Sequence, residues 1–487
     1  MRRTATLVRS PSPSLVFYSL LTLSLTAFGA RALTLDTQSL WRDEVDVLRF
    51  AYWPAEQLWQ NLIVAQHNGP LYYIVMRGWL TLAGQSEFAL RFVALCASVL
   101  SVPLTWRVAR PLVGARAAWL AALLMVFSPA AVWYGQDAKM YALVSLLVLV
   151  ALIGLWQALR TGQRRYWIGF VTAASISFYT HMLAALMIPV YALALPLTWR
   201  SHRHRWSAWL ASMALLTLPY LPLAAWQWPL LRDTYQTGHP FYPLPHMLNL
   251  LFNLYAWGMA STGHWLVLAA WIFALLMGIF GKTGPRTGQD LSGRVFIVVW
   301  LCLPAAFIHL VSLRAPVFEP RYLMFGAPAF YILTARGIAV LARLARPVSA
   351  LVLALILVFN LMGLGVQSTT PIKSDFRSAA TYVQARYRTG TPVLFQLPYT
   401  RHIFDYYFEA DFQALDGPWT NGDKSETDVA AWMAAALGNE SEVWLIASEG
   451  WLWDSRDLTR AWLAAHAELL EAASFVLVDV YHYRLHP

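Results

Sequence analysis

The sequence predicts a polytopic α-helical membrane protein that ends in a small soluble α/β domain, and three observations carry that reading. Hydrophobic residues make up 58% of the 487 and charged ones only 13%, with a mean hydropathy of +0.47. Soluble domains carry about 25% charged residues, roughly double this complement. Apolar runs near the length of a bilayer crossing recur from residue 16 to residue 366. Charge divides at residue 370: residues 1–370 hold 27 Lys and Arg against 10 Asp and Glu, a balance of +17, and residues 371–487 hold 9 against 16, a balance of −7. The net charge of +10 therefore resides in membrane loops, where it sets orientation, and nucleic acid is not an expected partner.

Met1-Arg2-Arg3 ahead of the apolar run Val16–Ala32 has the form of a signal peptide. No small-residue cleavage site stands out and more apolar segments follow, so an uncleaved first span is expected, with its N-terminus cytoplasmic. Further spans are expected near 88–106, 117–133, 140–158, 166–180, 183–198, 207–228, 265–281, 295–313, 323–342 and 348–366, about eleven in all. The charges support this order. Each predicted cytoplasmic segment carries three basic residues, from Arg2, Arg3 and Arg9 to Arg336, Arg343 and Arg346, which accounts for 18 of the 27. Nine of the ten acids fall on the opposite side and only Asp290 lies inside. The expected location is the inner (plasma) membrane, with the tail extracytoplasmic.

Two outer loops, 34–86 and 229–263, belong to the membrane domain 1–370. The first mixes charge with aromatic residues, as helices lying in the interface plane do. Trp, Tyr and Phe number 24, 22 and 24, enough for two aromatic interface belts. The tail, 371–487, reads as helix 375–388, strand 392–397, helix 427–437, strand 442–447 and a last strand 475–480. It has no glycine-rich phosphate loop. Cys96 and Cys302 both sit in apolar runs and offer neither a disulfide framework nor metal spacing.

Four stretches carry candidate chemistry. Half of the acids in the membrane part fall between Asp36 and Glu56, around Trp41-Arg42-Asp43-Glu44-Val45-Asp46. Carboxylates at an aromatic-lined membrane surface are costly to desolvate. One there can act as general base for a hydroxyl or steady positive charge at a sugar carbon, while a solvated loop is the plain alternative. Tyr134-Gly135-Gln136-Asp137-Ala138-Lys139-Met140-Tyr141 offers donors, an acid and a cation within one outer turn. His67-Asn68-Gly69-Pro70 precedes a helix whose free N–H groups suit an anion, or simply begin a helix. In Glu319-Pro320-Arg321-Tyr322, Arg321 suits either a lipid phosphate or a snorkelling anchor, and spacing does not choose between them. His181 faces outward; a lone histidine there is more often structural.

Taken in order, these residues resemble the bacterial membrane glycosyltransferases akin to protein O-mannosyltransferases, family 39 of the GT-C superfamily. The resemblance runs through Asp43-Glu44, His67 to Tyr73, Ser86-Glu87-Phe88-Ala89-Leu90-Arg91, Tyr134 to Tyr141, Tyr179-Thr180-His181 and Glu319 to Tyr322. It implies a GT-C fold and inverting transfer of a mannose-like or other sugar from a polyprenyl-phosphate donor in membrane lipid. It assigns Asp43 as base, Glu44 to position a sugar, and Arg321 or Lys139 to hold the phosphate. His67, Asn68, Tyr134, Gln136, Asp137, Tyr141, His181, Glu319 and Tyr322 are the further substrate-binding candidates. The acceptor, whether glycan, lipid or protein, is left open. The resemblance fixes no cofactor and leaves a divalent cation open. The extra MIR domain of eukaryotic relatives is absent, so a protein acceptor does not follow. A lipid or oligosaccharide transporter, or an envelope scaffold, is the rival reading; a transporter calls for polar residues at mid-membrane depth.

Overall fold

In a computed structural model, residues 12–62, 70–232, 239–259, 264–282, 287–422 and 424–486 are described. Each expected apolar segment is helical. The first part runs α1 (Pro13–Ala32), α2 (Arg42–Tyr52), α3 (Ala55–Leu62), α4 (Leu71–Ala83), α5 (Glu87–Val113), α6 (Ala115–Val126), α7 (Pro129–Gly135), α8 (Tyr141–Thr161) and α9 (Arg164–Thr180). It continues with α10 (Ile188–Leu197), α11 (Trp199–His202), α12 (Trp206–Arg232), α13 (Leu244–Trp257), α14 (Trp265–Phe280), α15 (Thr287–Ser312), α16 (Ala327–Leu344) and α17 (Arg346–Thr369). Among the described residues, seven helices or helical runs are long and apolar enough to cross a membrane, and α6 with α7 makes an eighth, bent by 54°. The other three expected spans correspond to shorter helical segments: α9, Met182–Leu197 and α14. At a rise of about 1.5 Å per residue, such helices fall short of a roughly 30 Å hydrocarbon core unless it thins or their ends extend.

The chain divides into two compact units, one of residues 1–35 and 51–367 and one of residues 36–50 and 368–487. Within the first, α5 begins at Ser86, whose hydroxyl accepts from the Ala89 N–H at 3.2 Å, and ends at Gly114 with φ +88°. Helix α16 is almost wholly buried. It meets α14 through glycine: a Cβ on Gly337 would lie 1.8 Å from the Ala274 carbonyl oxygen, and one on Gly278 2.0 Å from that of Leu333. Small residues let backbones approach closely where lipid supplies no hydrophobic drive to pair helices.

Three arginines are also buried here. Arg31 donates to Ser98 Oγ (2.8 Å) and to the carbonyls of Ala27, Met125 and Val126; Arg91 donates to the Leu35 carbonyl (2.7 Å). Arg336, expected as a loop charge, instead caps α14 by donating to the carbonyls of Gly278 (2.6 Å) and Gly281 (2.9 Å). Guanidinium groups here satisfy carbonyls that helix ends leave open.

The second unit holds a mixed five-stranded sheet in the order β2-β1-β3-β5-β4. Its elements are α18 (Phe376–Gln384), β1 (Val393–Phe395), α19 (Arg401–Tyr407), β2 (Ala414–Asp416), α20 (Glu426–Leu437), β3 (Glu442–Ala447), α21 (Leu458–His466), β4 (Ala467–Phe475) and β5 (Val478–Leu485). Strands β2, β1 and β3 are parallel, and β5 returns antiparallel to β3 and β4. The interior strand β1 is buried throughout, as a strand covered on both faces must be. Leu394, Val443, Leu445, Met433 and Leu463 form the core. Ser425 and Asp428 close a reciprocal cap on α20. The expected strand 475–480 is corrected: it straddles a hairpin turn at Val476-Leu477 that joins β4 to β5. Neither residue is a usual turn former, which hid the turn. The strands β2 and β4 and the helices α19 and α21 were also not anticipated.

Candidate functional site

In the first unit the candidates gather around the turn between α7 and α8. Ser128 stops α6 and caps α7, accepting from the Ala131 N–H at 3.0 Å, with Pro129 in the first turn. Its hydroxyl also bonds that of Tyr331 on α16. Residues 137–140 that follow are all buried, Asp137 wholly and Lys139 at 8% exposure. Gln136 turns to α1, donating to the Arg31 carbonyl (2.8 Å) and Thr34 Oγ1 (2.7 Å), so it staples two elements.

The aromatic rings beside this turn form a connected set. Tyr141 lies 5.6 Å from Tyr134, 5.8 Å from His181 and 6.1 Å from Tyr322, and His181 lies 5.3 Å from Tyr322. The Arg321 guanidinium sits 5.8 Å from the Tyr322 ring centre. His239 is 6.1 Å from the same ring and pairs with Glu319 at 3.4 Å. The His181 ring is 2% exposed, and its Nδ1 accepts the Leu183 N–H at 3.2 Å, so the ring proton sits on Nε2. Nε2 has no hydrogen-bond partner among the described residues. A buried donor left so is costly, and an acceptor on a ligand relieves it. His67 and Asn68 lie outside the described residues.

In the second unit, Asp43 and Glu44 occupy the first turn of α2, where the helix dipole favours carboxylates. They face differently. Asp43 is partly exposed; Glu44 is fully buried and pairs with Lys373 Nζ at 2.9 Å, itself 5.7 Å from the Trp41 ring centre. The strand of chain before α2 is stitched to residues far along the sequence. Gln38 donates to the Thr370 carbonyl (2.8 Å) and accepts from the Ile372 N–H (2.8 Å), and the Leu40 N–H donates to the Tyr407 hydroxyl (2.7 Å). These bonds explain why residues 36–50, expected with the membrane domain, pack with the tail instead. Sequence reasoning missed Lys373, Gln38 and Tyr407. Nothing local marks them, because their partners lie more than 300 residues away.

Residues 67–226 match a model of the family described as dolichyl-phosphate-mannose-protein mannosyltransferase. No curated protein matches the chain by sequence. Among solved structures, ArnT from Cupriavidus metallidurans in its apo state is similar over 96% of this chain and 98% of its own, with a TM-score of 0.57 and 14% identity. The same protein bound to undecaprenyl phosphate gives 0.56 and 13%, over 97% and 98% of the two chains. The archaeal oligosaccharyltransferase AglB from Archaeoglobus fulgidus, in complex with an inhibitory peptide and a dolichol-phosphate, gives 0.58 and 11%, over 96% and 74%. The chain carries several helices apolar enough to cross a membrane and has a fold similar to those of the GT-C glycosyltransferases ArnT and AglB, and its residues 67–226 match the model described as dolichyl-phosphate-mannose-protein mannosyltransferase.

Proposed function

We propose that the protein is an inverting glycosyltransferase that moves a mannose-like or other sugar from a polyprenyl-phosphate donor to an acceptor at the outer face of a plasma membrane, with its tail on that same side. The observation that carries this reading is that Arg321, 5.8 Å from the Tyr322 ring centre, and buried His181, 5.3 Å from the same ring, share one aromatic-walled group. A guanidinium and an unsatisfied N–H donor on the same aromatic ring suit a phosphate ester. That undecaprenyl phosphate binds ArnT and a dolichol-phosphate binds AglB supports a lipid phosphate as the ligand.

In the proposed reaction an acceptor hydroxyl attacks the anomeric carbon of the donor sugar and gives its proton to Asp43. The bond from that carbon to the phosphate oxygen breaks, and the electron pair leaves on polyprenyl phosphate. Lys139 and Arg321 stabilise that developing charge, and the His181 Nε2–H donates to a phosphate oxygen. A single displacement inverts the anomeric centre. Tyr141 and Tyr322 wall the site, and the His239–Glu319 pair borders it. Among the described residues no three His, Cys, Asp or Glu stand together as metal ligands, and these steps use side chains alone.

The test is transfer of radiolabelled sugar from a purified polyprenyl-phosphate donor by the protein in nanodiscs. Asp43→Asn keeps size and removes the proton acceptor, so turnover should fall about 10²–10⁴-fold while donor binding survives. Near-normal turnover by this variant removes Asp43 from the mechanism.

A further inference from the structure

Strands β2, β1 and β3 are adjacent and parallel, so their carboxyl ends share one edge of the sheet. In open α/β sheets ligands are received at that edge. Here the chain leaving β1 carries Tyr399, that leaving β2 carries Trp419, and that leaving β3 carries Trp451 and Trp453. Tyr399, Trp419 and Trp451 are 51%, 53% and 62% exposed. Trp453 links the group, its ring 5.8 Å from Tyr399 and 6.1 Å from Trp419. Large rings held in water forgo the stabilisation that burial gives them, so the fold alone does not call for them there.

The loops beneath these rings are fixed by hydrogen bonds. Trp453 Nε1 donates to the Gly417 carbonyl (3.0 Å), and Asn421 Nδ2 donates to that of Trp451 (2.8 Å). Asp454, 2% exposed, accepts from Thr420 Oγ1 (2.5 Å), Gln396 Nε2 (3.2 Å) and the N–H groups of Leu458 (2.9 Å) and Thr459 (3.0 Å). Burial pushes its carboxyl pKa up, but these donors outweigh that and hold it below the usual value. Ordering cost at such a surface is met in advance of binding. The same loop is tied to the helix of the candidate base. Glu449, with φ +50°, pairs with Arg42 at 3.2 Å, and Arg42 immediately precedes Asp43.

Flat aromatic faces beside polar groups match a pyranose, which offers a C–H face to a ring and hydroxyls to its surroundings. The exposed Arg401–Asp416 pair (3.2 Å) supplies donors and acceptors at this strand end. Exposed Trp and Tyr also suit a membrane interface. The tail's balance of −7 disfavours an anionic lipid surface, and charge therefore selects the carbohydrate. We infer that the aromatic strand-end edge of the tail is a glycan-binding subsite that holds the acceptor chain for the residue at Asp43. The word acceptor rests on the transferase reading; glycan binding does not.

The experiment uses the full chain in nanodiscs and fluorescently labelled hexasaccharides of mannose, glucose, galactose and N-acetylglucosamine, read by anisotropy. At least one should bind, and W419A/W451A should weaken it tenfold or more, with an unchanged melting temperature because both rings are exposed. Failure of all four sugars to bind, or equal binding by W419A/W451A, overturns the subsite. W451C, in a background lacking Cys96 and Cys302, should react with a water-soluble maleimide in nanodiscs as in detergent. Reaction in detergent only makes the edge a membrane anchor and also overturns it. Loss of sugar transfer with oligosaccharide binding intact would defeat the transferase reading alone.

Discussion

At the residue scale, two adjacent carboxylates have different surroundings. Glu44 is sealed in an ion pair with Lys373, whereas Asp43 retains exposure on the same helical turn. The resemblance implies that Asp43 is the base and that Glu44 positions a sugar, and in the structure Glu44 is the buried one of the two. Removing one partner of a buried pair strands the other charge and costs about 3–5 kcal/mol, while an apolar replacement of both is often neutral. Glu44→Gln should therefore lower the melting temperature, and Glu44→Leu/Lys373→Met should recover most of it. A Glu44→Gln protein that melts like wild type but fails to transfer sugar returns Glu44 to the substrate. Arg321 is tested by donor binding. Arg321→Ala should weaken it about ten- to a hundredfold, the equivalent of a charge-assisted bond of about 1.5–3 kcal/mol. Arg321→Lys should recover only part, lacking the planar fork. Undiminished binding by Arg321→Ala makes the residue an interfacial anchor and leaves the phosphate to Lys139.

At the element scale, helices followed from apolar runs and strands from short β-branched ones, but turns were legible only where the usual residues mark them. Gly114 and Gly162 end helices with positive φ. The β4–β5 turn uses Leu477 at φ +56°, 56% exposed, with its carbonyl accepting from Ser448 Oγ at 2.8 Å. A leucine there bears a steric cost of about 1–2 kcal/mol that asparagine largely avoids. Leu477→Asn should raise the unfolding temperature of the tail, measured calorimetrically, by an amount equivalent to about 1 kcal/mol. A fall would mean that the leucine's remaining contacts outweigh its backbone strain.

At the scale of the whole molecule, the positive-inside pattern is a statement about both units. On the proposed count of eleven crossings, the N-terminus and the tail lie on opposite faces. Cysteines introduced in the tail at Ser425 and in α2 at Asp46 should react with an impermeant maleimide from outside intact cells. One at Arg203 should react only after permeabilisation. Labelling of position 425 from the cytoplasmic side alone would overturn the span count and with it the extracytoplasmic site. The mid-chain charges also divide by role: Arg31, Arg91 and Arg336 satisfy carbonyls, so not every basic residue reports orientation.

The sequence by itself determined that the chain spans a membrane, in which stretches its apolar helices lie, and that an α/β tail follows. Those properties depend on local hydropathy and periodicity, which a linear reading samples directly. It also marked Asp43, Tyr134 to Tyr141, His181 and Arg321, since unusual polar residues at span ends stand out against apolar neighbours. Only the tertiary structure decided what each one touches. It gave Glu44 its Lys373, tied Gln136 to α1, brought His181 and Arg321 onto one aromatic wall, and moved residues 36–50 into the tail unit. Those outcomes come from hydrogen bonds and ion pairs between residues distant in the chain, whose partners no local pattern encodes.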